Sequence, residues 1–125
     1  MTQLRVRRDS GTPRIEWDRG NKEGIVVIVG GIFEVEPDQR DKFLASRHES
    51  MRKSRAEPGS LEYVVSADPI EPGRVVLFER WADQASLDAH IAAIRQAPPS
   101  PDGAVAPKSA TITVYDVSGE RSLGG

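Results

Sequence analysis

Gly24-Ile25-Val26-Val27-Ile28-Val29-Gly30-Gly31-Ile32-Phe33 is the longest apolar run in the chain, and its reading decides the fold. It is half the length a membrane-spanning helix needs. Its β-branched residues favour a strand, placed over about residues 25 to 36 once Glu34 and Val35 are added. The Gly30-Gly31 pair marks either a bulge or a close approach of another group. Ile25, Val27 and Val29 point to one face of such a strand, and Val26 and Ile28 point to the other. A strand apolar on both faces is buried on both, whereas a half-solvated antiparallel strand alternates.

Outward from this strand the pattern changes period. Pro37 ends it and Asp38 is placed to cap a helix running to about Ala56, with Leu44, His48, Met51 and Arg55 at helical spacing and Phe43 alongside. Glu57-Pro58-Gly59 stops that helix. Leu61 to Ser66 and Arg74 to Trp81 then read as a hairpin whose loop holds Asp68, Pro69, Pro72 and Gly73. Strand alternation puts Leu61, Tyr63, Val65, Val75, Leu77, Glu79 and Trp81 on a common face. Asp83 caps a second helix, where Leu87, His90, Ile91 and Ile94 form an amphipathic stripe. A proline-rich loop, Ala97 to Gly103, precedes a last strand at about Ala110 to Val117. The order β-α-β-β-α-β is the split βαβ layout of a ferredoxin-like α+β sandwich. Three segments follow: an extension over 1–24, a domain over 25–118 and a tail over 119–125. In the extension, Ile15-Glu16-Trp17 reads as a short strand or as a segment laying Trp17 on the domain, and the alternative for the whole extension is a mobile tail.

Two helices cover only one face of a four-stranded antiparallel sheet. The doubly apolar first strand, with Val64, Val76 and Phe78 from the hairpin, therefore needs a second cover, and another copy of the chain is the simplest one. A homodimer is expected.

Composition removes several function classes. One domain is all that 125 residues allow. Seventeen Lys and Arg against nineteen Asp and Glu leave no basic excess for nucleic acid. No cysteine is present, so disulfides and thiolate metal sites are impossible. Two histidines without H-x-x-x-H spacing argue against a metal site. The glycine pair opens no helix and is not a dinucleotide turn. The opening residues, with Arg5, Arg7, Arg8 and Asp9, lack a secretory leader's apolar stretch. The expectation is a cytoplasmic protein with no membrane or nucleic-acid partner.

Glu57-Pro58-Gly59-Ser60-Leu61-Glu62-Tyr63, Leu77-Phe78-Glu79-Arg80-Trp81 and Leu87-Asp88-Ala89-His90, in that order, resemble the antibiotic biosynthesis monooxygenase domain. The likeness covers about residues 25 to 117. It implies a dimeric α+β barrel with a pocket between helices and sheet in each subunit. Members of that family oxidise phenols and quinols without metal or flavin; others degrade haem, and fold membership alone does not choose among them. The haem-degrading branch uses an asparagine near the end of the first strand, where this chain has Gly30-Gly31-Ile32.

Oxygenation without a cofactor needs a base, a polar group to hold an anion, and an apolar pocket. Imidazole suits the first role. His90 matches the family's helix histidine, and His48 lies on the apolar side expected of the first helix. Trp81 completes the expected catalytic set. Tyr63, Glu79, Phe33 and Leu77 are the expected lining for a small aromatic or quinone-like molecule, with Tyr63 and Trp81 flanking it. No metal and no cofactor are expected. The function these features imply is a cofactor-independent monooxygenase, with a non-catalytic dimeric binding domain as the alternative and a haem-degrading enzyme third.

Overall fold

The computed structural model describes residues 3–9, 12–18, 25–99 and 104–124. Its core is a four-stranded antiparallel sheet in the order β4-β5-β3-β6, built from β3 (Val27–Glu34), β4 (Ser60–Ala67), β5 (Arg74–Trp81) and β6 (Ser109–Asp116). Helices α1 (Arg40–Ser46) and α2 (His48–Ala56) pack on β4, and α3 (Gln84–Gln96) packs on β5. This is the ferredoxin-like arrangement expected. Preceding it, β1 (Gln3–Asp9) and β2 (Thr12–Asp18) pair antiparallel as a separate two-stranded sheet, so the strand reading of Ile15 to Trp17 holds. Whether Trp17 lies on the domain falls outside the described residues, as does the end of the proline-rich loop at 100–103.

The doubly apolar strand becomes one of the two inner strands of the sheet, paired on both sides without a break from Val27 to Glu34. No bulge occurs at the glycines. Both are sites of close approach instead. A Cβ on Gly31 would press on Leu77 and Ile112 at 3.3 Å, and one on Gly30 would meet the Tyr115 ring at 3.5 Å. The bulge lies in β4, where pairing passes from Ser60 opposite Trp81 to Glu62 opposite Arg80. Leu61 is the extra residue and is 46% exposed, so its expected inward position is corrected.

The first helix departs from expectation in a way that matters for the site. A 3-10 turn at Pro37–Gln39 comes first, and Asp38 makes no capping bond. The helix is then interrupted at Arg47, whose amide bonds Leu44 O one residue short of helical spacing. Its guanidinium lies 4.7 Å over the Phe43 ring, while the rings of Phe43 and Phe33 are 5.5 Å apart. The inward positions are Phe43, Arg47, Met51 and Ser54. Leu44 is half-buried, whereas His48 and Arg55, one position further round, are exposed.

Side chains of α2 also finish the outer edge of β4. Arg55 Nε donates to Tyr63 O at 2.8 Å, and the Val65 amide reaches Met51 Sδ at 3.4 Å. These contacts occupy backbone groups that an open edge would offer to another strand.

The buried core on the helix side holds Val27, Val29, Val35, Phe43, Val65, Val75, Leu77, Trp81 and Leu87. Among the described residues no helix packs on β6, and Ile112 and Val114 stay half exposed. On the other face of the sheet, Gly30, Ile32, Val76, Phe78, Thr111, Thr113 and Tyr115 line an apolar groove of about 340 Å³. Among the described residues no helix is long and apolar enough to cross a membrane.

Gly59 joins the layers. Its φ of 82° is in the left-handed region, and a side chain there would collide with Ser86 at the start of α3. The Ala82 amide bonds its carbonyl at 2.8 Å. Gly59→Ala combines a left-handed penalty with an overpacked contact, so a loss of about 2–4 kcal/mol is expected. Urea denaturation measures it, and a loss below about 0.5 kcal/mol would show that the α2–β4 turn adapts freely.

Candidate functional site

Three elements deliver polar side chains to one buried point. The stripe of α3 turns Leu87 and His90 toward the sheet, leaving His90 3% exposed. The helix is anchored by Asp83, whose Oδ1 accepts from the Ser86 amide at 2.8 Å and from Ser86 Oγ at 2.7 Å. From β5, Glu79 and Trp81 point to the same face by strand alternation. From the end of α2, Glu57 reaches back before the chain turns at Gly59.

His90 Nδ1 lies 3.0 Å from Glu57 Oε1. Its Nε2 lies 3.8 Å from Glu79 Oε1, which accepts the Trp81 indole N–H at 2.8 Å. A neutral imidazole donates from one nitrogen only, and the short contact to Glu57 assigns that proton to Nδ1. Nε2 lies on the Glu79 side, beyond hydrogen-bond reach of its carboxylate. Solvent access falls steeply along this line: the Glu57 side chain is 26% exposed, against 3% for His90 and 6% for Glu79.

Aromatic rings close the cluster on two sides. Trp81 is wholly buried with its ring 4.7 Å from that of His90, and the Tyr63 ring stands edge-on at 5.5 Å. Burial pushes the Glu79 carboxyl up from the ordinary range, against the lowering effects of the Trp81 bond and of His90. The Tyr63 phenol is also raised, first by burial and then by the negative charge of Glu79, although a hydrogen bond with Ser54 opposes the shift. A groove of about 290 Å³ beside the β4 bulge, lined by Arg55, Ser60, Leu61, Glu62, Tyr63 and Val64, reaches Tyr63 from outside.

The structure thus brings together His90, Trp81, Tyr63 and Glu79, but it changes their relation. Tyr63 and Trp81 were expected to flank a flat ligand; the imidazole itself occupies that place. His48 does not join them. It opens α2 one position round from Arg47, off the stripe that runs through Phe43, Arg47, Met51 and Ser54, and is exposed. Phe33 does not join them either. It pairs with Val75, six residues along β5 from Trp81, or about 20 Å of strand, and it packs on Phe43. Leu77 is a core residue between Gly31 and Val65. Two members escaped the sequence reading. Glu57 was visible only as part of a helix stop, and Ser54 is a buried polar residue where an apolar stripe was sought. Among the described residues, no three His, Asp or Glu side chains converge as a metal site requires.

A raised carboxyl makes stability depend on pH. Where the folded state holds the Glu79 proton more tightly than the unfolded chain does, stability is full below the unfolded value and falls as pH rises through the folded one. Glu79→Gln keeps an acceptor for Trp81 and removes that term. Relative to wild type, the variant is expected to gain stability as pH rises above the ordinary carboxylate range in parallel urea titrations. A variant that instead loses relative stability as pH rises would contradict the desolvated carboxyl.

Comparison with known proteins places this geometry in context. The family described as "Antibiotic biosynthesis monooxygenase" matches residues 26–93, a span containing every member of the cluster. The Synechocystis protein sll1783 is 31% identical over 104 residues, covering 78% of this chain and 67% of its own. The candidate monooxygenase YcnE of Bacillus subtilis is 28% identical over 65 residues, covering 52% and 68%. A crystal structure of a candidate antibiotic biosynthesis monooxygenase from Deinococcus radiodurans shares the fold, with a TM-score of 0.62, 19% identity, and coverage of 79% and 99%.

Proposed function

Because the chain belongs to the antibiotic biosynthesis monooxygenase family, we propose that it is a cytoplasmic, homodimeric monooxygenase that oxidises a small phenol- or quinol-type molecule between helices and sheet, without metal or flavin. The observation that carries this reading is the buried Glu57–His90–Glu79 line beside Tyr63 and Trp81. A proton acceptor shielded from water is what such chemistry asks of the protein.

The substrate supplies the electrons. Loss of a proton gives an electron-rich anion, which passes one electron to dioxygen, and the radical pair combines at a ring carbon as a peroxide anion. The peroxide takes a proton back and loses water to leave a carbonyl. Net, a CH2 group and O2 become C=O and H2O. The protein binds the ring, holds one proton near the anion and returns it.

The homodimer is supported by the apolar groove on the uncovered sheet face. Light scattering is expected to give twice 13.7 kDa for the wild type, and Ile32→Asp, which puts a charge on that face, is expected to give the monomer. A wild type at 13.7 kDa at micromolar concentration would overturn the dimer.

One observation favours the non-catalytic binding domain as a second reading: His90 is wedged between Trp81 and Tyr63, as a structural histidine would be. Oxygen uptake separates the two. With a panel of quinols and anthrones, the enzyme reading expects uptake that a chelator leaves unchanged and that His90→Ala lowers 10²-fold or more. Folded protein that consumes no oxygen with any of them supports the binding domain, and equal rates for wild type and variant would remove the imidazole from the chemistry.

A further inference from the structure

We propose that Glu57 is the proton port of the buried cluster: the proton on His90 Nδ1 exchanges with solvent through the Glu57 carboxylate and by no other route. This deepens the reading under Proposed function and rests on it for its catalytic meaning, but the exchange itself is a property of the resting protein.

The argument is one of access. His90 is 3% exposed, and its inner nitrogen faces Glu79, which is itself closed from solvent. Trp81 and Tyr63 cover the ring. Tyr63 is the other half-buried titratable group at the ring, but it meets the imidazole edge-on with centroids 5.5 Å apart, and among the described residues no hydrogen bond joins it to either nitrogen. Of the groups that meet the imidazole, Glu57 alone joins a direct contact, 3.0 Å, to substantial exposure, 26%. It stands at the end of α2, held by the turn through Gly59 rather than by the sheet, so water reaches one side of the carboxylate while the other accepts from Nδ1.

Such a port needs no ring flip. When Nε2 takes a substrate proton, Nδ1 gives its own to Glu57, which passes it to water. When the peroxide needs a proton, Nε2 supplies it and Glu57 returns one to Nδ1. The imidazole ends as it began, with one proton out and one proton in. A ring packed between indole and phenol cannot easily rotate, so a pathway that restores the starting tautomer in place suits this site. Glu57 is thus a positioning residue acting through His90.

Hydrogen exchange on full-length protein labelled with ¹⁵N in both histidine and tryptophan tests it without substrate, so its failure is distinct from a failure to find turnover. In the wild type, the His90 Nδ1–H is expected to exchange at least tenfold faster than the Trp81 indole N–H, with the exposed His48 as the solvent-open reference. Equal rates for His90 and Trp81 would mean that the ring exchanges only when the core opens, and the port would be refuted. Glu57→Gln keeps the volume and an acceptor but cannot relay a proton; it is expected to slow His90 exchange at least tenfold, and Glu57→Asp to restore part of it. Unchanged or faster exchange in the Gln variant would overturn the proposal.

Discussion

A buried imidazole N–H needs an acceptor, and that requirement organises this molecule. His90 sits on the inward stripe of α3 and is 3% exposed. One nitrogen takes Glu57 from the end of α2 and the other faces Glu79 on β5. Leaving a buried polar group without a partner costs about 1–3 kcal/mol. The bond to Glu57 therefore ties the end of α2 to α3 through the ring, and the ring itself packs on Trp81 of β5. The Trp81 indole extends the line by donating to Glu79, so the largest buried side chain shares the polar network with the core around it. Gly59 is the backbone counterpart: without its left-handed turn, α2 and α3 could not approach closely enough for Glu57 to reach His90.

Most of the architecture was legible because each element had a local signature. The β-branched run at Ile25 to Val29, the alternation in Arg74 to Trp81, and Asp83 followed by the Leu87–His90–Ile91 stripe all carry their period in residue type. Three features did not. The break at Arg47 is invisible because the inward stripe contains Arg47 and Ser54, polar residues that hydropathy assigns to solvent. An aromatic box around a guanidinium and a hydroxyl bonded to a phenol are tertiary arrangements. The β4 bulge has no residue-type mark, since Leu61 looks like any inward apolar residue. The glycine pair was read for two outcomes, and cross-strand neighbours on β5 and β6 decided for close approach.

The candidate site follows the same division. Tyr63, Glu79, Trp81 and His90 could be brought together by alternation and helical spacing, because β4, β5 and α3 keep regular geometry over those residues. His48 lies one position off an inward stripe that runs through the polar Arg47 and Ser54, and Phe33 lay at the far end of its strand, a distance that face assignment alone does not register. Glu57 was hidden in a stop signal: Glu-Pro-Gly reads as punctuation, although its first residue supplies the carboxylate that orients the imidazole. The two faces of the sheet have separate tasks. The helix face carries the polar cluster, while the other presents an apolar groove under Tyr115 and Phe78 whose cover is a second copy in the proposed assembly.

The central claim is that the helix-side cluster around His90 and Glu79 is where a small aromatic substrate meets the protein. A crystal structure of the chain with a bound hydroxyanthraquinone tests it most directly. The account predicts the ligand on the helix side of the sheet, in contact with Tyr63 and with a phenolic oxygen directed toward Glu79 and His90. A ligand bound only in the groove of Ile32, Phe78 and Tyr115, with the His90 cluster untouched, would contradict it.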